Sequence, residues 1–76
     1  MSTGYLVVLE GDDASGYSTY SLDLPGVIAA AATADECLAL MREAMAFHIE
    51  GLIEDGDPVP QPTSAAAVIL LDPAAA

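Results

Sequence analysis

The sequence predicts an α+β domain of order βββαβ, and three observations carry that reading. Three short β-forming runs are separated by Gly- and Asp-rich turns, a long segment repeats its apolar residues at helical spacing, and a last apolar run follows a proline-rich connector. The strands are expected at about 5–10, 17–22, 27–31 and 67–71, with the helix at about 34–54 and the connector at 57–64. Three consecutive strands make an antiparallel meander. The helix is then a crossover on one sheet face, which brings the fourth strand in parallel to a strand of the meander with right-handed sense.

Each element has its own signal. Tyr5-Leu6-Val7-Val8-Leu9 is an apolar β-forming run that ends at Glu10. Gly11 to Gly16 is a turn cluster, and Tyr17 to Leu22 reads as the second arm of a hairpin. Asp23-Leu24-Pro25-Gly26 is a tight turn, since Pro presets φ and Gly tolerates positive φ. Val27 to about Ala31 follows as the third strand. Thr33-Ala34-Asp35-Glu36 is a capping-box pattern that starts the helix, and Gly56 supplies a left-handed exit from it. At 100° per residue, Ala34, Cys37, Leu38, Met41, Ala44, Met45, His48, Ile49 and Leu52 share one broad stripe. Glu36, Glu43, Glu50 and Glu54 cluster on the other side. Pro58-Val59-Pro60-Gln61-Pro62 reads as an extended polyproline spacer. Ala67 to Leu71 is the last strand, Asp72-Pro73 ends it, and the alanine-rich end is expected to fray.

Size and charge bound the function. The 76 residues suffice for one domain whose core is marginal, because so short a chain buries only ~60–65% of its unfolded surface. Without Trp and with one Phe and one Cys, assembly is the expected remedy. Strands 1 and 4 are apolar at nearly every position, which predicts cover on both sheet faces, yet one helix covers one face. At least a dimer is expected. Twelve acidic residues stand against Arg42 alone, for a formal net charge of −11. That sign repels nucleic acid and anionic membrane surfaces, so neither direct DNA or RNA binding nor membrane binding is expected. A basic protein partner fits, and simple solubility is the alternative use of the excess acid. Nothing resembles a signal peptide, and the longest uncharged stretch, Leu24 to Ala34, contains Pro25 and Gly26 and is too short to span a bilayer. A cytoplasmic, reduced protein is expected.

Several motifs in this order resemble the HicB-like antitoxin family: Tyr5…Glu10, Gly16-Tyr17, Asp23-Leu24-Pro25-Gly26, Thr33-x-x-Glu36, and Glu50-Gly51-Leu52-x-Glu54-Asp55-Gly56-x-Pro58-x-Pro60. The resemblance covers roughly residues 5 to 62. It implies a degenerate RNase H-like fold with sheet order 3-2-1-4, the fourth strand lying beside and parallel to the first. It also implies a partner, a small basic HicA-like toxin that acts as an mRNA interferase through a catalytic His. Relatives often form a homodimer or homotetramer and usually add a C-terminal DNA-binding domain. The short form without that domain is expected here, so repression of its own operon is not. Val27 stands where many relatives have Cys, and Ala31-Ala32 where they commonly have Gly and an acid.

The candidate binding residues are Glu36, Glu43, Glu50 and Glu54 on the outer helix side, with Asp12 and Asp13 at the hairpin. Leu40 and Phe47, seven apart and beside Ala44 and Gly51, form either an extension of the core or an exposed patch in which Phe47 is the anchor. An orphan oligomeric adaptor with no toxin is the alternative to an antitoxin. Catalysis is not expected, nor is a metal or other cofactor. Two-metal nuclease chemistry needs clustered carboxylates, and Tyr5 to Leu9 supplies none. Asp12-Asp13 and Asp55-Gly-Asp57 lack calcium-loop spacing. His48 has no second His or Cys at ligand spacing. It reads as a core-edge residue, with a partner or pH-sensitive contact as the other use. Cys37 reads as an ordinary buried residue.

Overall fold

In the computed structural model, which describes residues 3–74, the first two strands are β1 (Val7–Asp12) and β2 (Gly16–Ser21). Both lie a little off their expected positions, and two glycines explain why. Gly11 and Gly16 have φ of 128° and 86°, and a Cβ on Gly11 would collide with the Gly16 carbonyl oxygen. That close approach lets Gly11 pair with Tyr17 and Asp12 with Gly16, so the turn shrinks to residues 13–15. Glu10 therefore lies within β1 and not at its end.

The third strand, β3 (Ile28–Ala31), pairs antiparallel with β2, Thr19 opposite Ala29 and Tyr20 opposite Ile28. Between them Gly26 adopts φ of 88°, and Val27 N–H donates to the Leu24 carbonyl at 3.4 Å. This turn drives Leu24 and Val27 into the interior, where both are buried.

The helix α1 (Ala34–Glu54) begins and ends where the sequence predicts. Thr33 is extended at φ −120° and ψ 156°, and its Oγ1 accepts from Glu36 N–H at 3.2 Å, satisfying one orphan amide of the first turn. At the other end Gly56 is left-handed. Its N–H donates to the Ile53 carbonyl at 3.1 Å, and Asp57 N–H donates to the Leu52 carbonyl at 2.9 Å. These are the paired bonds of a Schellman exit.

The helix lies chiefly over β3 and β2. Leu24, Val27 and Met41 form the centre, with Tyr5, Val7, Ala29, Ala44, Met45 and Ile49 packed around them. Cys37 is buried beside them as a free thiol whose Sγ donates to the Ala29 carbonyl at 3.6 Å, tying helix to strand. By alternation and register, Val7, Thr19, Ser21 and Ala29 face the helix. Val8, Tyr20 and Ile28, mutually paired, form an apolar row on the uncovered face.

The expected fourth strand is not formed. The sheet has three strands in the order β1-β2-β3, so the order 3-2-1-4 is not seen and β1 keeps an open edge. The connector is held to the body by Tyr5 Oη, which donates to the Pro60 carbonyl at 2.6 Å, and by Asp23, which accepts from Thr63 Oγ1, Ser64 N–H and Ser64 Oγ at 3.0, 3.2 and 3.1 Å. Pro58, Pro60 and Pro62 fix φ and donate nothing, and Ser64 is pinned at the β2–β3 turn, so the chain departs there without aligning on β1. Residues 65–74 are exposed throughout. The radius of gyration is 15.2 Å and the long dimension 52 Å, whereas a compact chain of this length has a radius of about 11 Å. Ala75 and Ala76, within the stretch expected to fray, lie outside the described residues.

Thr19 is 1% exposed, and its Oγ1 has no hydrogen-bond partner. A buried hydroxyl left unpaired costs about 1–3 kcal/mol. Thr19→Val keeps the shape and removes the cost, so thermal unfolding should show stability higher by about 1 kcal/mol, with Tm raised by roughly 4–8 °C. A lower Tm would show that the hydroxyl is satisfied in solution.

Candidate partner-binding surface

The outward side of α1 carries the largest group of candidate residues. Glu36, Leu40, Glu43, Phe47, Glu50 and Glu54 fall within an arc of roughly 80° when each residue advances 100°. All six are exposed, Leu40 by 46% and Phe47 by 77%. Leu40 and Phe47 are therefore an exposed patch and not an extension of the core, because the broad inner stripe of α1 already fills the space above β2 and β3. The helix thus presents two apolar side chains flanked along its length by four carboxylates. Beside Phe47, a shallow groove of about 390 Å³ runs between the helix and the start of β3, lined by Val27, Ile28, Ala44, His48 and Leu52 among others. His48 is half-buried in its wall.

Charge at the helix termini is asymmetric. Asp35 and Glu36 sit in the first turn, where the positive end of the helix dipole favours them, but the last turn holds no basic residue. Glu50 and Glu54, with Asp55 and Asp57 just beyond, crowd negative charge against the negative end of the dipole. That arrangement works against folding of the free domain.

Asp12 and Asp13 sit apart from this face, at the tip of the hairpin, and both are engaged locally. Asp12 Oδ1 accepts from Ser15 Oγ at 2.7 Å, Ser15 N–H at 2.8 Å and Ala14 N–H at 3.0 Å. The Ser15 hydroxyl bond, then its amide, holds the Asp12 carboxyl below its ordinary pKa. Asp13 accepts from Tyr17 Oη at 2.9 Å, which raises the Tyr17 phenol above its usual value. These two acids build the turn.

The sequence reading treats Asp23 only as a turn residue, whereas the structure makes it the anchor of the connector. Partial desolvation pushes its carboxyl upward, but the amide of Ser64 and the hydroxyls of Thr63 and Ser64 together outweigh this and its pKa is lowered. Its partners lie 40 and 41 positions away, in a segment with no periodic signal, so only tertiary structure reveals the pairing. Among the described residues no three His, Cys, Asp or Glu side chains come together to hold a metal ion, and no helix is long and apolar enough to cross a membrane.

The candidate surface is therefore an apolar-centred, carboxylate-flanked helix face on an acidic α+β domain. Residues 5–73 match the family described as "HicB_like antitoxin of bacterial toxin-antitoxin system", and the chain belongs to that family. It is also similar to an uncharacterized 14.9 kDa protein in the rep-hol intergenic region of Haemophilus phage HP1, 39% identical over 46 residues. That match covers 60% of this chain and 35% of the phage protein, so it spans about a third of the relative's length.

Because Asp23 has a lowered folded-state pKa, its contribution is complete above the unfolded carboxylate value of about 3.9 and is lost as pH falls through the folded value. Carboxyl NMR titration should place the Asp23 midpoint below the unfolded carboxylate value. The Ser64 amide should lose protection from exchange over the same acid range. A midpoint at the unfolded value would show the anchor to be absent in solution.

Proposed function

We propose that this chain is an antitoxin that neutralises a small, basic HicA-like mRNA interferase by direct binding, acting as a binding protein in the cytoplasm and not as an enzyme. The observation that carries the reading is the outer face of α1, where Phe47 and Leu40 stand exposed between Glu36, Glu43, Glu50 and Glu54. Exposed aromatics near the centre of a patch are the usual anchors of an interface, and surrounding charge sets partner choice and encounter rate. A toxin that grips RNA must present cations. The carboxylates pair with those cations while the apolar anchors hold the two proteins together, and the bound antitoxin covers the toxin's catalytic His.

The charge pattern at the end of the helix separates this reading from simple solubility. Acid placed anywhere on the surface keeps a protein soluble, but acid at a helix C-terminus costs the free domain about 0.3–1 kcal/mol per charge. Glu50 and Glu54 are retained at that cost, which fits a use in binding. Asp12 and Asp13, exposed at the hairpin tip, supply further carboxylates for the same basic partner in this reading. Self-association into a dimer or tetramer accompanies it, since Val8, Tyr20 and Ile28 leave an apolar row on the bare sheet face.

An RNA-cleavage assay with a HicA-like toxin from the same genome tests the proposal. The purified chain should suppress cleavage, and the suppression should weaken as salt rises. Phe47→Ala should weaken toxin binding by roughly 30-fold, a loss of about 2 kcal/mol. Glu54→Gln should have opposite effects on two readouts, stabilising the free domain by a few tenths of a kcal/mol while weakening the complex. Uninhibited cleavage would refute the antitoxin reading. Unchanged binding by both variants would move the contact to another face.

A further inference from the structure

We propose that residues 65–72 are an exchanged strand: the Val68–Leu71 segment of each copy pairs with the open edge of β1 in a second copy and turns alternate side chains into the groove beneath its helix. This rests on the self-association proposed above and is independent of toxin binding.

Three features of the molecule meet in this arrangement. The first is the segment itself. Val68, Ile69, Leu70 and Leu71 are 86%, 80%, 91% and 76% exposed, a continuous run of strong β-formers with no charge until Asp72. Water is a poor home for four adjacent aliphatic side chains, and unpaired extended backbone of this composition seeks a strand edge. The second is such an edge. β1 is a terminal strand of the sheet, and its first half, Val7 to Leu9, carries no charge, the acids Glu10 and Asp12 lying further along it. The third is a receiving groove. Because α1 lies over β2 and β3, a largely apolar channel of about 330 Å³ remains on the β1 flank, lined by Tyr5, Val7, Leu38, Met41 and Met45 with Thr3 and the charged Arg42 beside them. A strand added at that edge alternates its side chains between the two sheet faces, so every second one enters the channel.

The connector decides between a copy's own edge and that of its partner. Tyr5 holds the Pro60 carbonyl and Asp23 holds Thr63 and Ser64, so the chain is fixed to the body up to Ser64 and leaves it at the β2–β3 turn. Three alternate prolines make the preceding spacer stiff, and a short stiff hinge favours exchange between copies over folding back. The ten residues 65–74, fully extended, reach at most ~33–36 Å, enough to cross to a neighbouring molecule. Reciprocal exchange buries two strands and two edges at once, as the ~1,200 Å² or more of a stable interface requires. Since each copy carries a formal charge of −11 while the joining segment Val68 to Leu71 and the β1 stretch Val7 to Leu9 carry none, association should tighten as salt screens the repulsion.

The test is an isotope-filtered NOE experiment on the full chain, mixing ¹³C-labelled with unlabelled protein after unfolding and refolding together. The expected result is cross-peaks between the methyls of Val68 to Leu71 on one copy and Val7, Leu38 or Met45 on the other. Cross-peaks found only within a copy, or methyls at random-coil shifts without any, would overturn the proposal. A second arm uses Leu70→Asp, a change at an exposed position outside the folded body. Its dimer dissociation constant should rise at least tenfold with the melting of the isolated body unchanged, and an unaltered constant would also overturn it. Neither arm contains toxin, so failure here leaves the antitoxin reading standing, and failure to inhibit a toxin leaves the exchange standing.

Discussion

One helix covers one face of a sheet, and the rest of this structure follows from that limit. The packing of α1 on β2 and β3 buries Leu24, Val27, Cys37 and Met41, and very little else is fully enclosed. The Cys37 thiol against the Ala29 carbonyl and the turn at Leu24-Pro25-Gly26 fix where the helix sits. Once it sits there, the β1 flank, the bare sheet face and the outer side of the helix each retain apolar groups in water. A domain of this size has too little interior to absorb them. Surplus apolar surface of this kind is the mark of a protein that works in contact with others.

Charge divides those surfaces by use. The outer helix face pairs its apolar groups with carboxylates, which suits a basic partner and discourages a second copy of the same acidic chain. The Val7 to Leu9 half of the β1 edge and the Val68 to Leu71 segment are uncharged, which suits contact between identical copies. Repulsion between like-charged chains is smallest where neither presents acid, so the two proposed associations use different parts of the molecule. Asp12, Asp13 and Asp23 also have structural work within the chain. Each accepts local or tertiary hydrogen bonds and helps define the fold.

The local parts of this fold were legible in the sequence because their causes are local. Thr33 and Gly56 bound the helix through caps that depend on a few neighbouring residues, and the predicted helix limits match the structure. The meander was legible for the same reason, although the first turn is tighter than its composition suggested because two glycines approach at backbone distance. The family also was legible, since its turn and helix-exit motifs survive intact and the match runs over residues 5–73. The fourth strand is not seen within the single chain, because strand pairing is not a local property. Ala67 to Leu71 has the composition of a strand, but pairing depends on where the connector releases the chain, and that is set by Asp23 and Tyr5 far away in sequence. Helical phase set Glu36, Glu43, Glu50 and Glu54 together but gave no exposure for Leu40 and Phe47, which depends on where the helix sits on the sheet.

The most direct measurement of the central claim is the mass of the pure chain by sedimentation equilibrium, from micromolar to millimolar concentration and from low to high salt. If the uncovered apolar surfaces are interfaces, the mass is a small integer multiple of 7.7 kDa and the multiple is better populated as salt rises. A mass of 7.7 kDa throughout, with no salt dependence, would contradict the account.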